Sequence, residues 1–450
     1  MCQRRSFVAN FLLISVVLLM AQLYAKASDT FTVLYDFNYA TGALPVGNLI
    51  LDSAGNLYGT AVEGGLESPN CSYNCGVVFE LSPSGSTWTY KVLYYFTGGA
   101  DGSQPHGRLT RDSKGNLYGT TFNGGTVNGY CPVGCGTIFE LSPVGSDWTF
   151  ALIHSFTGPD GLEPGTGLTP DNAGNLYGVT EGGGTADGGT FFELVPSDGG
   201  WTFSTLYEFT SFSNGFSPSS DLVIDGSGDF YGATFSGGST KPSCLGYSGC
   251  GTIFELSPAG GSWKFRLLHA FQGIKAGAKD GDGIYPAGSL ALDGVGNLYG
   301  TTSQGGKTCN SCGGTVFKLL PSAGKWKEQI LHRFGGTYDG VGPTGGVTLD
   351  KAGNLYGTTH DGGTNCGDCG TVFKLTPDTK GASWKLSLLY SFTDGADGGE
   401  PDAGVISDTS GNLYGTTTYW GENFGGTLFE LSTGTVPPDR INAPPLKKAH

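Results

Sequence analysis

The hexapeptide Gly353-Asn354-Leu355-Tyr356-Gly357-Thr358 stands unchanged at Gly55, Gly115, Gly296 and Gly411. It returns at Gly174 with Val179 in the last place, and once more as Gly228-Asp229-Phe230-Tyr231-Gly232-Ala233. The seven copies lie 54 to 68 residues apart. A period of that size marks a solenoid, a propeller or an array. Each copy follows an aspartate in the pattern Asp-x-x-Gly-[Asn/Asp]: Asp52, Asp112, Asp171, Asp225, Asp293, Asp350 and Asp408. An aspartate opening a tight reversal accepts from backbone N–H groups further on, and glycine supplies positive φ. An apolar run such as Ser289-Leu290-Ala291-Leu292 precedes the aspartate, and Leu-Tyr-Gly-Thr follows the glycine. Strand, turn and strand make a hairpin. The phrase is therefore expected to build the fold and not to form a site.

Outward from the hairpin, one full unit runs from Trp326 to Pro377. Trp326–Phe334 reads as a strand, Asp339-Gly340-Val341-Gly342-Pro343 as a loop, and Gly346–Asp350 and Asn354–Thr359 as the hairpin. Gly370–Leu375 is a fourth strand. Four strands per unit in meander order form a propeller blade. We name them a (before the aspartate), b (Leu-Tyr-Gly-Thr), c (Gly-Thr-Val-Phe) and d (Trp-led). The chain after residue 27 opens with a d-like strand, Phe31–Phe37, and its last unit, ending at Leu431, has no Trp-led strand after it. The sequence thus predicts an all-β protein. It is a seven-bladed β-propeller of four-stranded antiparallel blades, closed by the N-terminal strand completing the last blade. Closure leaves no blade edge unpaired within the ring.

The chain has 450 residues, 80 of them glycine, about two and a half times the usual share. Aromatic residues make up 12%, so a core can form. No sustained helical period appears after residue 27. Residues 1–27 read as a signal peptide, with Arg4 and Arg5, an apolar stretch from Phe11 to Met20, and Ala25-Lys26-Ala27 before the cut. Ten apolar residues are too few to span a bilayer, and no later run is long enough for an anchor. The expected location is secreted or periplasmic, by the general or the twin-arginine route. The propeller is expected over 28–433, and 434–450 forms a Pro-rich basic tail expected to be disordered. Beyond residue 27 there are 21 basic and 39 acidic residues, a charge of −18. That disfavours nucleic acid and anionic membrane surfaces as partners. A monomer is expected.

Ten cysteines fall in close pairs at one place in the repeat: Cys71/Cys75, Cys131/Cys135, Cys244/Cys250, Cys309/Cys312 and Cys366/Cys369. In an exported chain these read as five local disulfides that pin loop shape. Zinc would need four ligands converging from separate repeats, and a redox CxxC commonly opens a helix.

A meander puts the d–a and b–c loops on one face. The d–a loops carry Asp-Gly-x-x-Pro at Asp101, Asp160, Asp282, Asp339 and Asp397, with Asn214 and Thr41 in the remaining two. These acidic residues are candidate ligand-binding groups at the central mouth, the alternative being that they only shape turns. His106 and His360 fall on the same face. Six tryptophans begin d strands as packing residues, whereas Trp420 stands in the last b–c loop beside Tyr419 and Phe424, where it fills the place of a missing disulfide or, alternatively, offers a ring on which a sugar can stack. No catalytic residue is identified, and no cofactor is expected. Calcium is conceivable for a ring of carboxylates, but no loop has calcium-loop spacing. GxSxG, HExxH and Walker motifs are absent. A carboxylate pair for glycoside hydrolysis lies within reach of Glu63, Glu163, Glu181, Glu400 and the loop aspartates, but nothing in the sequence singles one out.

The GNLYGT, Gly-Thr-[Val/Ile]-Phe-[Glu/Lys]-Leu and Leu-Tyr-x-Phe phrases together resemble the GloVer-type tandem-repeat family of exported bacterial proteins, over residues 30–432. The Asp-x-x-Gly-Asn turn is also similar to that of NHL-type propellers. The resemblance implies a secreted or surface propeller, with no established activity and no catalytic residues to carry over. C-terminal anchors occur in such proteins, and this tail departs from that pattern. The expected function is an exported binding or scaffold protein recognising a protein or glycan on the face with the disulfide-closed loops. The alternatives are a carbohydrate-active hydrolase or lyase using carboxylates on that face, and an acidic surface-layer component.

Overall fold

A computed structural model describes residues 30–432 except 240–243, 245–248, 275–279, 308–312, 323 and 337. The expected signal peptide and the tail lie outside the described residues. Every described element is a strand except for isolated turns. The first blade contains β2 (Ile50–Leu51), β3 (Leu57–Ala61), β4 (Val77–Ser84) and β5 (Thr87–Tyr95), paired in that order. Six further antiparallel sheets follow the same order, the fourth blade having its inner strand split into Phe216–Pro218 and Val223–Ile224, giving seven blades. Strand β1 (Thr30–Asp36) pairs antiparallel with the last strand, Thr427–Ser432, with Phe31 opposite Leu431 and Asp36 opposite Thr427. The ring closes as the sequence predicts.

Strand a is the departure. It is only two residues long in most blades, because the residues before it serve the axis. The Asp turn is as expected. In the sixth blade Asp350 Oδ1 accepts from the N–H groups of Ala352 (2.9 Å) and Asn354 (2.8 Å), and Oδ2 accepts from Asn354 Nδ2 (2.7 Å) and Tyr356 OH (3.1 Å). Burial alone would raise this carboxyl, but those donors outweigh it and hold it below its usual value. Gly357 is glycine because a Cβ there would stand 2.7 Å from the ring of Phe373 on strand c, which is fully buried.

The blades interlock through the same phrase. The Tyr of one copy meets the Trp of the next blade edge-on, as in Tyr58–Trp148 (6.4 Å) and Tyr299–Trp384 (6.3 Å). The last blade joins the first by Tyr414–Trp88 (6.2 Å). Such contacts contribute roughly 0.5–1.5 kcal/mol each beyond burial. β1 has no Trp, and it closes instead by stacking Phe31 on Tyr390 at 3.8 Å. The Thr of the phrase locks strand b to the next blade's axial backbone. Thr358 Oγ1 donates to Ala403 O (2.7 Å), and Thr416 Oγ1 to Pro45 O (3.3 Å) across the seam.

Of the five disulfides expected, four join described residues: Cys71–Cys75, Cys131–Cys135, Cys244–Cys250 and Cys366–Cys369. The fifth expected bond, Cys309 to Cys312, is not among them, because Cys309 and Cys312 lie outside the described residues. Cys312 also departs from the common place in the repeat. Two glycines, Gly313 and Gly314, separate it from strand c at Thr315, whereas one glycine separates Cys75, Cys135, Cys250 and Cys369 from theirs. No described helix is long and apolar enough to cross a membrane.

Candidate functional site

The d–a and b–c loops do share a face, stitched by bridges such as Ser103 to Asn123 and Val341 to Asp361. At the centre of that face, the residue before each loop proline sits in the left-handed region or is glycine. The ring is Leu44, Gln104, Glu163, Ser217, Tyr285, Gly342 and Glu400, with φ between 52° and 67°. Positive φ is uncommon outside glycine and marks a position held by its surroundings. The holding group is the b–c loop of the preceding blade. The backbone N–H of Gln104 donates to Cys75 O (2.9 Å), Glu163 to Cys135 O (3.0 Å), Tyr285 to Cys250 O (2.9 Å) and Glu400 to Cys369 O (2.9 Å). These four disulfides therefore fix not only their own loops but also the ring residue of the next blade. For Gly342 the acceptor is Gly313 O (2.7 Å) and not Cys312, as the extra glycine before strand c requires.

Below the ring the axis is narrow, a cavity of about 160 Å³. It is crossed by a polar chain drawn from several blades. Arg108 Nε pairs with Asp221 Oδ2 at 3.3 Å, and Ser289 Oγ donates to the same oxygen at 2.7 Å. Asn48 Nδ2 donates to Ser289 Oγ (3.2 Å), while Asn48 Oδ1 accepts from Gly404 N–H (2.7 Å). This chain of polar contacts crosses the axis below the mouth. Glycines here permit close approach: a Cβ on Gly47 would lie 2.9 Å from His106 O.

The loop aspartates are bound within their own blades. Asp101 accepts from Tyr94 OH (3.1 Å) and Thr97 N–H (2.8 Å). Asp160 accepts from Thr157 N–H (2.8 Å) and meets His154 Nε2 at 2.8 Å. Asp282 accepts from Gln272 N–H (3.0 Å), and Asp339 accepts from Gly336 N–H (3.0 Å) and meets His332 Nε2 at 3.2 Å. Asp397 accepts from Tyr390 OH (3.0 Å) and Thr393 Oγ1. Asn214 donates its N–H to Ser211 O (2.9 Å) and accepts from Thr252 Oγ1 (3.1 Å) through its carbonyl. Each of these residues closes its d–a turn, and most also tie down a strand-d Tyr or His. A ligand reaching them would compete with those bonds.

The histidines differ. His106 packs on Phe122 at 5.1 Å between ring centroids, and burial pushes its pKa down to about 4. It is therefore neutral at physiological pH. His360 Nδ1 meets Asp361 Oδ1 at 2.8 Å, and its Nε2 lies 3.7 Å from both Glu400 and Asp402. The Asp361 hydrogen bond, against the opposing effect of burial and aided by Asp402 and Glu400, lifts its pKa to about 9. It is the cation of an otherwise acidic cluster.

On the third blade, Glu181 N–H donates to Glu163 O (3.1 Å), bringing two carboxyl-bearing residues together. Burial, reinforced by Glu163, raises Glu181 to about 7. They border a cavity of about 360 Å³ beside the Cys131–Cys135 loop. A second cavity, about 330 Å³, is lined by Glu400, Tyr419, Trp420 and Phe424. Sequence reasoning flagged Trp420 and its neighbours as the odd residues of the last blade, and here they converge with Glu400. The ring as a set was missed, although Glu163 and Glu400 were among the candidate carboxylates. The ring's signal was the variable residue before an otherwise fixed proline.

Among the described residues, one cluster offers metal-type ligands without a disulfide: His269, Asp282 and Glu328. His269 Nε2 lies 3.6 Å from Asp282 Oδ2 and 3.5 Å from Glu328 Oε1. Burial works against the imidazolium, but the two carboxylates raise its pKa, so a cation there would have to displace a proton.

Ring, polar axis and interlocked blades define a seven-bladed β-propeller built from tandem repeats with one elaborated face. The chain belongs to the Gloeobacter/Verrucomicrobia repeat family, whose profile matches residues 22–131, 125–337 and 309–437. No curated protein matches it. Among solved structures it is similar to PorZ, a surface component of the type-IX secretion system of Porphyromonas gingivalis. PorZ is 14% identical with a TM-score of 0.49, over 89% of this chain and 48% of that one. It is also similar to the extracellular domain of BT4673 from B. thetaiotaomicron, 11% identical with a TM-score of 0.49, over 89% and 40%. A 6-phosphogluconolactonase assignment from Bacteroides uniformis stands at 14% and 0.45, over 76% and 84%. The chain spans under half the length of the first two. At such identities no residue's role carries across.

Proposed function

We propose that this is an exported binding protein that recognises a glycan or a protein on the face formed by the d–a and b–c loops. One observation carries the reading. Every exposed aromatic side chain among the described residues lies on that face: Tyr39, Tyr73, Tyr130, Phe212, Phe235, Tyr338, Tyr419, Trp420 and Phe424. Water-exposed rings gathered on one side of a domain, with Tyr73 and Tyr130 on loops closed by disulfides, are the composition of a recognition surface. Disulfides in four blades fit an oxidising compartment. The test is a glycan array and a surface-protein binding screen, with Tyr73→Ala, Tyr130→Ala and Tyr338→Ala compared with the parent. Binding that these variants weaken supports the reading. Binding indifferent to all three overturns it.

A second reading rests on Glu181. A carboxyl near neutrality beside a second carboxyl is the pairing an acid-catalysed glycoside cleavage uses. Product analysis of any array hit decides it. Turnover that disappears in Glu181→Gln supports a hydrolase, and binding without turnover removes it.

A further inference from the structure

Trp420 occupies a glycine position. The b–c loop of each other blade begins with a glycine at positive φ: Gly64, Gly124, Gly183, Gly237, Gly305 and Gly362, between 78° and 86°. The carbonyls of Gly64, Gly124 and Gly362 each accept the N–H of the glycine before strand c, and Trp420 O does the same for Gly426 N–H at 2.9 Å. At Gly64, Gly124, Gly237 and Gly305 an added Cβ would stand 2.5–2.9 Å from the backbone of the d–a loop. Yet Trp420 is there, with φ 65°. Its indole is accommodated by a second exception. Position 399 is glycine where other blades have Ala43, Ser103, Leu162, Phe216, Ile284 and Val341. A Cβ on Gly399 would lie 2.8 Å from Trp420 Cδ1. Strain accepted at one residue and room cleared at another are how a fold retains a side chain for use.

The surroundings say what the use is. Trp420 and Phe424 face each other at 6.3 Å with their planes 58° apart, and Tyr419 and Glu400 complete the cavity. Tilted rings make walls, not the flat platform a sugar ring stacks on. Behind the cavity Asp394 packs on Gly399, and its buried Oδ1 has no hydrogen-bond partner. Burial first, then the neighbouring carboxylates Glu400, Asp368, Asp397 and Asp361, raise its pKa to about 6. The facing cation is His360, 3.7 Å from Glu400. Aromatic walls with a carboxylate beside them select a compact organic cation.

We propose that the Tyr419–Trp420–Phe424–Glu400 cavity is an aromatic cage for a quaternary or alkylated ammonium group, with Glu400 as its anionic wall. The site rests on the reading of this face as the binding face and names the chemistry of one pocket on it. The experiment titrates the oxidised protein with tetramethylammonium and with neopentyl alcohol, a water-soluble neutral near-isostere that adds one hydroxyl, by calorimetry or NMR. Choline and trimethyl-lysine then serve as arms that name the source of the group. The cage predicts that the cation binds and that the isostere binds about tenfold more weakly. It also predicts that Trp420→Gly, the residue of the other blades, abolishes binding while leaving the fold at least as stable. Glu400→Gln, which keeps the cavity's shape, should weaken the cation and spare the isostere. Equal binding of cation and isostere, or unchanged binding in Trp420→Gly, overturns the cage. Silence towards ammonium with a glycan or protein still bound overturns the cage alone. Silence towards all of them overturns the binding face as well.

Discussion

Glu181 gives the fold a stability that falls as the solution becomes alkaline, and replacing it should remove that fall. Burial and the neighbouring Glu163 lift its carboxyl from an ordinary value near 4.5 to about 7. The folded state therefore holds a proton that the unfolded chain has released between those two values. Because the folded state binds more protons there, stability declines as pH rises through the window. It is complete below about pH 4.5 and fully reduced above about pH 7. At about 1.36 kcal/mol per pKa unit the decline is at most about 3 kcal/mol, and residual solvent contact reduces it to roughly 1–3 kcal/mol. Glu181→Gln keeps the size and the carbonyl but cannot ionise. It should match the parent at pH 4.5 and exceed it by roughly 1–3 kcal/mol at pH 8.5. For a propeller of this length, unfolding entropy near 2 cal/mol/K per residue converts that into a melting shift of about 1–4 °C. Thermal and urea unfolding at the two pH values, with disulfides intact, read the difference. A variant that loses stability at pH 8.5, or gains equally at both pH values, would refute the reasoning.

His360 has the opposite charge type. Its pKa is raised to about 9, so its contribution is complete below about 6.5 and is lost as pH rises through 9. His360→Gln should therefore destabilise at pH 6 and be nearly silent at pH 10, measured by urea midpoints. Gly178→Ala places a methyl 2.5 Å from the ring of Phe192 and should cost about 1–3 kcal/mol by overpacking, read as a lowered melting temperature with the circular dichroism spectrum retained. Phe31→Ala removes the ring stacked on Tyr390 at 3.8 Å and weakens the seam. It should cost about 2–4 kcal/mol and raise hydrogen exchange first in Thr30–Asp36 and Thr427–Ser432.

The fold was legible because each repeated residue answers a local geometric demand. Asp350 satisfies its turn, Gly357 makes room for Phe373, Thr358 reaches the next blade and Tyr356 meets its own Asp turn. Backbone geometry recurs seven times, so its solution recurs in the sequence. The open seam was legible for the same reason: a strand like Phe31–Phe37 at one end answers a missing one at the other. Nothing of that kind constrains Arg108, Asp221, Ser289 and Asn48. They come from different blades, and only the ring brings them to one axis.

The mouth shows the limit from the other side. Asp-Gly-x-x-Pro drew attention to its fixed aspartate, but the aspartate is fixed because it serves the turn: Asp101 is held by Tyr94 and Thr97, Asp397 by Tyr390 and Thr393. The side chains that differ from blade to blade, from Leu44 to Glu163 to Tyr285, stand at the second x, on backbone held by the preceding blade's b–c loop. A repeat protein separates its two tasks in this way. Positions that build the ring must be alike, and positions that give each blade its own chemistry must not. A residue that breaks the pattern at a structurally demanding position therefore carries more information than one that keeps it. Trp420, standing at φ 65° where the other blades have glycine, is the strongest such break on this face.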